Sequence, residues 1–159
     1  MGTIFKFHTD VDTDQIIASQ YLLFPTIDEM KTHTFESLDP DFASKVKPGD
    51  FVVAAENFGC GSSREQAPSV LKALGVRAVI AKSFARIFYR NSINIGLPVW
   101  AADLAGQVKT GDLAEVDLEQ GKVTVNGVEY TFPPLAENVL KTLAYGGLIP
   151  RVRAELGME

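Results

Sequence analysis

Polar and apolar positions change their period along the chain, and each change marks a different kind of element. Ile4 to His8 alternates as a short strand, and the acid-rich stretch Thr9 to Asp14 then reads as a turn or a helix start. Residues 28–46 are polar and interrupted by proline, which predicts loop with a helical turn or two, closed by the turn signal Lys47-Pro48-Gly49-Asp50. From Phe51 the pattern becomes α/β. Phe51 to Glu56 is a buried strand, Arg64 to Leu74 a helix stopped by Gly75, Ala78 to Ala81 a second buried strand, and Phe84 to Ile95 a helix stopped by Gly96 before Leu97-Pro98-Val99-Trp100.

Beyond Gly106 the runs alternate with period two. Leu113 to Leu118, Lys122 to Val125 and Val128 to Phe132 are joined by Glu119-Gln120-Gly121 and by Asn126-Gly127, a dipeptide that tight hairpins favour. Pro133-Pro134 opens a last helix, Leu135 to Tyr145, ended by Gly146-Gly147, and residues 149–159 read as a tail. Strands joined by helices imply a parallel sheet with right-handed crossovers, here extended by a small antiparallel β-meander. The fold class is α/β, and residues 1–159 read as one domain.

Composition narrows the function. With 46 % apolar residues among 159 the chain can bury a core, and its net charge of −5 with scattered basic residues argues against nucleic-acid binding. No apolar run approaches the roughly 20 residues of a membrane span, and the N-terminus lacks the apolar block of a signal peptide. The expected location is the cytoplasm. Cys60 is the only cysteine and there are two histidines, so no internal disulfide and no cysteine-ligated zinc or iron–sulfur site can be built from this chain alone.

The candidate chemistry lies in Gly59-Cys60-Gly61-Ser62-Ser63-Arg64-Glu65, between the first buried strand and its helix. Ligands of α/β sheets sit beyond the carboxyl ends of strands, where helix N-termini favour anions. Glycines let backbone approach a ligand, serines offer hydroxyls, and arginine matches a carboxylate with a planar fork. The plainer reading is a helix cap, with Ser62 or Ser63 as N-cap and Glu65 or Gln66 closing a capping box. A cap alone, however, needs neither the paired glycines nor the arginine.

Three separated motifs make a more specific case. Asn57-Phe58-Gly59-Cys60-Gly61-Ser62-Ser63-Arg64-Glu65, together with Asp10-Val11-Asp12-Thr13-Asp14-Gln15-Ile16-Ile17 upstream and Asn91-Ser92-Ile93-Asn94-Ile95-Gly96-Leu97-Pro98 downstream, resembles the small subunits of 3-isopropylmalate dehydratase. These correspond to the swivelling β/β/α domain of the aconitase superfamily, and the likeness runs over nearly the whole chain. It implies a hydro-lyase that moves a hydroxyl between adjacent carbons of a hydroxy acid through an unsaturated intermediate, within leucine biosynthesis. It also implies a heterodimer or heterotetramer with a large subunit that carries a 4Fe-4S cluster. This chain would bind no cofactor, would be inactive alone, and could self-associate when isolated.

The same resemblance implies roles. Ser62 would be the catalytic base, acting as an alkoxide stabilised by nearby amides, and Asp14 would be an acidic site residue that orients groups. Gly61, Ser63 and Arg64 would bind a substrate carboxylate, Arg64 in bidentate fashion. Asp10 and Asp12 read equally well as turn or cap carboxylates. Cys60 reads as a loop thiol, with oxidation as a second possibility. Arg86 and Arg90 read as a solvated helix face, and Trp100, Phe84, Phe88 and Tyr89 as core.

In the family, a loop after the first motif reads the variable group of the substrate, here Tyr21-Leu22-Leu23-Phe24. Homoaconitase-like relatives carry an arginine after Tyr-Leu, whereas this chain has Leu23. Burying an unpaired carboxylate there would cost several kcal/mol, while an isopropyl group gains about 0.8 kcal/mol per buried carbon. The loop therefore favours an apolar substituent, unless these residues are simply core. Dimethylmalate and methylated malates are rival substrates, and a homoaconitase ranks after them because the arginine is missing. A non-catalytic anion-binding or scaffold module is the reading from another class.

Overall fold

A computed structural model of the chain describes residues 1–157, and its seven strands form one mixed sheet. They are β1 (Gly2–Lys6), β2 (Phe51–Ala54), β3 (Ala78–Ala81), β4 (Val99–Ala101), β5 (Leu113–Asp117), β6 (Lys122–Val125) and β7 (Val128–Thr131), in the order β4-β3-β2-β1-β5-β6-β7. β1 to β4 run parallel, with registers such as Phe5↔Val52, Val52↔Val79 and Val79↔Val99. β5 turns antiparallel against β1, pairing Ala114 with Gly2, and β5-β6-β7 is the expected meander.

Among the described residues seven α-helices accompany the sheet: α1 (Thr13–Ile16), α2 (Ile27–Met30), α3 (Phe42–Lys45), α4 (Gln66–Ala73), α5 (Arg86–Asn94), α6 (Glu137–Ala144) and α7 (Leu148–Glu155). Three of the short ones lie in residues 12–46, where a polar, broken pattern leaves room for isolated turns only.

The inner parallel strands β2 and β3 are buried on both faces, which is why they read as continuous apolar runs rather than alternating ones. Val52, Ala54, Val79, Ala81 and Val99 point into one core with Phe35, Phe42, Phe58, Leu71 and Phe88. Phe51, Val53, Ala78, Ile80 and Trp100 point into the other, with Leu104, Val123, Val125 and Leu135. Trp100 satisfies its indole by donating to the Pro133 carbonyl at 2.8 Å.

Several boundaries differ from the pattern reading. β1 begins at Gly2 rather than Ile4, because β5 recruits its first residues into the ladder. α4 begins at Gln66 rather than Arg64. α5 begins at Arg86 rather than Phe84, because Phe84 bridges Phe58 in an extended conformation and Ala85 donates to the Phe58 carbonyl at 3.0 Å. α6 begins at Glu137 rather than Leu135, which is buried in the second core.

The tail expected over residues 149–159 is instead helix α7 as far as Glu155; Met158 and Glu159 lie outside the described residues. Pro150 sits in the first turn of α7, where a missing N–H is no loss. Arg151 ties α7 to α6 through Asn138 Oδ1 at 2.6 Å and Thr142 Oγ1 at 2.8 Å, and reaches Glu155 at 2.9 Å.

Candidate active site

The segments leaving β1, β2 and β3 all emerge at the carboxyl edge of the parallel sheet, where they are stitched together. Gly59 donates its amide to the Val11 carbonyl at 2.7 Å, Thr13 donates its amide to the Cys60 carbonyl at 2.9 Å, and Asp12 forms an isolated parallel bridge with Cys60. Phe58 donates to the Ser83 carbonyl at 3.1 Å and Asn57 to the Ser83 hydroxyl at 2.8 Å. The loop from 57 to 63 is thus held on both flanks.

Glycine is required at one point in particular. Gly59 has φ +85°, and a Cβ on it would lie 2.2 Å from Phe88 Cγ, so the loop presses directly on α5. Gly61, at φ +91°, has more room, its nearest neighbour being Asp12 Cβ at 3.4 Å. Its positive φ turns the chain outward and leaves Ser62 and Ser63 exposed.

These serines are not caps. The capping box of this region lies upstream: Asp12 Oδ1 accepts from the Gln15 amide at 2.8 Å, and Gln15 Oε1 accepts from the Asp12 amide at 3.1 Å. That gives Asp12 the cap role that competed for it in the sequence. α4, in contrast, has Glu65 at its N-cap and no side-chain cap. The amides of Ser62, Ser63 and Arg64 find no acceptor among the described residues, and neither serine hydroxyl has a partner there. Free donors and free hydroxyls at one exposed turn are what an oxyanion or carboxylate site needs.

Arg64 and Asp14 meet across the site. Arg64 Nη1 donates to Asp14 Oδ1 at 3.0 Å and to the Ile17 carbonyl at 3.0 Å. The Arg64 side chain is 16 % exposed and that of Asp14 62 %. The hydrogen bond from Arg64, helped by the Ser19 amide, holds the Asp14 carboxyl below its usual range. With one partner so open to water, the pair contributes under about 1 kcal/mol, so a better-buried carboxylate can displace Asp14 at little cost.

Gly61, Ser62, Ser63 and Arg64 line one cleft of about 270 Å³ with Thr13, Gly59, Ala85, Arg86, Ile87, Phe88 and Asn91. Arg86 therefore faces the site and not merely solvent. It pairs with no carboxylate among the described residues. Its signal in the sequence was positional: it opens the helix after β3, on the same sheet edge as the 59–65 loop.

Tyr21, Leu22, Leu23 and Phe24 do not line this cleft. Tyr21, Leu22 and Phe24 are half-buried against the first core, as a packing role requires, but Leu23 is 88 % exposed and belongs to no core. The Cys60 thiol is raised above its usual pKa, chiefly by burial and then by the charges of Asp10 and Asp12, so it is a poor nucleophile. Among the described residues no three His, Cys, Asp or Glu side chains converge to hold a metal ion, and a lone thiol offers no ligand set for an iron–sulfur cluster. Among the described residues no helix is long and apolar enough to cross a membrane.

Comparison with known proteins agrees with the motifs. Residues 8–102 match the family model described as Aconitase C-terminal domain. The chain is 52 % identical over 151 residues to a protein of Archaeoglobus fulgidus named 3-isopropylmalate dehydratase small subunit 1, covering 94 % of each chain. It is 47 % identical to a protein of Lachnospira eligens named 3-isopropylmalate dehydratase small subunit, covering 99 % of this chain and 96 % of that one. A crystal structure of 3-isopropylmalate dehydratase from Methanocaldococcus jannaschii superimposes with a TM-score of 0.92 at 43 % identity, over 98 % of this chain and 93 % of the other.

Proposed function

The chain belongs to the aconitase C-terminal domain family and, within it, to the small subunits of 3-isopropylmalate dehydratase, and on that premise we propose that it supplies the base and carboxylate-binding half of a hydro-lyase site. The substrate is a 2- or 3-isopropylmalate, interconverted by loss and return of water. The supporting observation is an exposed Ser62 with a free hydroxyl, set among unpartnered amides in a cleft that also contains Arg64 and Arg86.

Ser62, its hydroxyl proton first released to water, takes as alkoxide the proton from the carbon next to the one that bears the departing hydroxyl, and so returns to the neutral hydroxyl. An unassisted serine hydroxyl is too weak a base for this, so the negative oxygen must be stabilised where it forms. The amides of Ser63 and Arg64 and the two guanidinium groups supply that stabilisation without having to reorganise. Arg64 exchanges Asp14 for a substrate carboxylate. Asp14 then keeps the Arg64 guanidinium aligned in the free protein and orients groups in the complex. Arg86, with no carboxylate of its own, matches the second charge of a dicarboxylate.

Expelling hydroxide calls for a Lewis acid, and we assign it to a 4Fe-4S cluster on a large subunit, since the residues of this chain do not fit one. Leu23, exposed beside Tyr21, would meet the alkyl group once the partner closes over it. The decisive experiment is Ser62→Ala in the enzyme reconstituted with its large subunit. Loss of several orders of magnitude in kcat with assembly intact is expected; retained activity would leave the loop as an anion-binding or scaffold element.

A further inference from the structure

Outside the cleft, three side chains close on one another around the loop that carries Leu23. The Tyr21 hydroxyl donates to Glu36 Oε1, and His33 Nδ1 engages Glu36 Oε2, so one carboxylate is shared between two rings. Those rings stack with centroids 3.9 Å apart and planes 7° from parallel, and the Phe24 ring lies 5.8 Å from Tyr21 and 5.5 Å from His33. The residue before Glu36 is fixed independently. Phe35 is fully buried, takes φ +57°, and donates its amide to the Ile16 carbonyl at 2.8 Å. Glu36 thus stands on an anchored backbone and reaches across to a turn, Ser19–Leu23, that has no buried residue of its own.

We propose that Glu36 is a positioning residue for substrate selection: its carboxylate holds Tyr21 and His33 together, and so keeps the 19–23 turn in the conformation that leaves Leu23 standing free. An exposed leucine on a short unbraced turn would fold back onto the apolar surface that Leu22 and Phe24 already cover. With both oxygens of Glu36 engaged, neither ring can rotate away without giving up a hydrogen bond that ties the turn to Glu36. The inference rests on the reading that Leu23 meets the alkyl group of the substrate.

The test uses the enzyme reconstituted with its large subunit and compares kcat/KM for 3-isopropylmalate with that for malate, which lacks the branched group. Glu36→Ala should lower the ratio between the two by about tenfold, the scale on which a pocket senses missing methylenes, while leaving kcat on malate within about twofold. Tyr21→Phe, which keeps the stack and removes one hydrogen bond, should shift the ratio the same way by less. Glu36→Gln, which retains shape and one acceptor, should recover part of it and serves if Glu36→Ala does not fold. A proportional fall on both substrates, or an unchanged ratio in Glu36→Ala and Glu36→Gln while Leu23→Ala alters it, overturns the clamp. An unchanged ratio in Leu23→Ala overturns it too, and places the fault in the reading of the loop.

Discussion

The Thr13 hydroxyl donates to the Ser62 carbonyl at 2.8 Å, joining the first turn of α1 to the residue nominated as base. Thr13 is itself buried, so the tether runs from the packed interior to an exposed serine. It sets the direction of the Ser62 peptide, and with it the aim of the Ser63 amide.

Replacing Thr13 with Val keeps the volume and removes the donor. The expected result is a loss of about 1 kcal/mol in unfolding free energy, together with a fall in kcat of about tenfold and little change in KM. Thr13→Ser should restore most of both. Urea denaturation and steady-state kinetics on the reconstituted enzyme measure the two effects separately, and an unchanged kcat in Thr13→Val would dismiss the tether as a positioning device.

Gly59→Ala tests the contact with α5. The new methyl would lie 2.2 Å from Phe88 Cγ, well inside van der Waals contact, and the residue would keep a left-handed φ, so both overpacking and backbone strain oppose it. A loss of about 2 to 4 kcal/mol is expected. Adding Phe88→Leu should return part of the loss, leaving the strain; a single Gly59→Ala as stable as the parent in a thermal melt would contradict the packing described.

The Asp14–Arg64 pair has a definite pH signature. The folded-state pKa of Asp14 is lowered, first by the Arg64 hydrogen bond, so its stabilising contribution is fully present above the ordinary carboxylate pKa. That contribution disappears as pH falls through the lower folded-state value. The stability difference between the parent and Asp14→Asn should be small, under about 1 kcal/mol at pH 7, and should shrink as the pH falls below the ordinary carboxylate range. A difference that grows on acidification would have the wrong sign.

Arg86→Gln should raise KM for a dicarboxylate by about one to two orders of magnitude, because a charged hydrogen bond is lost. An analogue lacking one carboxylate should be affected much less. Equal effects on both would return Arg86 to the solvated helix face on which its sequence spacing placed it.

The parallel half and the meander could be read from the sequence because their signals are local: continuous apolar runs for strands covered on both faces, and Asn126-Gly127 for a hairpin. The Ser62 loop was legible as a motif, but not its surroundings. Nothing local says that Ser62 is held from Thr13 rather than by a capping box, or that Arg86 shares its cleft, since both follow from three strand ends meeting at one edge. α7 was hidden for a similar reason. Its exposed Ile149 and Val152 carry no core periodicity, and what secures it is Arg151 reaching residues of α6.

The strand order has a consequence for how this molecule is built. β1, the earliest strand in the chain, occupies the middle of the sheet, and later strands are laid down outward from it, β2 to β4 on one side and β5 to β7 on the other. Its opening residues therefore lie at the centre of the sheet and not at its fringe. Gly2 is buried against the Gly49 carbonyl, with no space for a side chain, so any substitution there would press on the centre of the sheet.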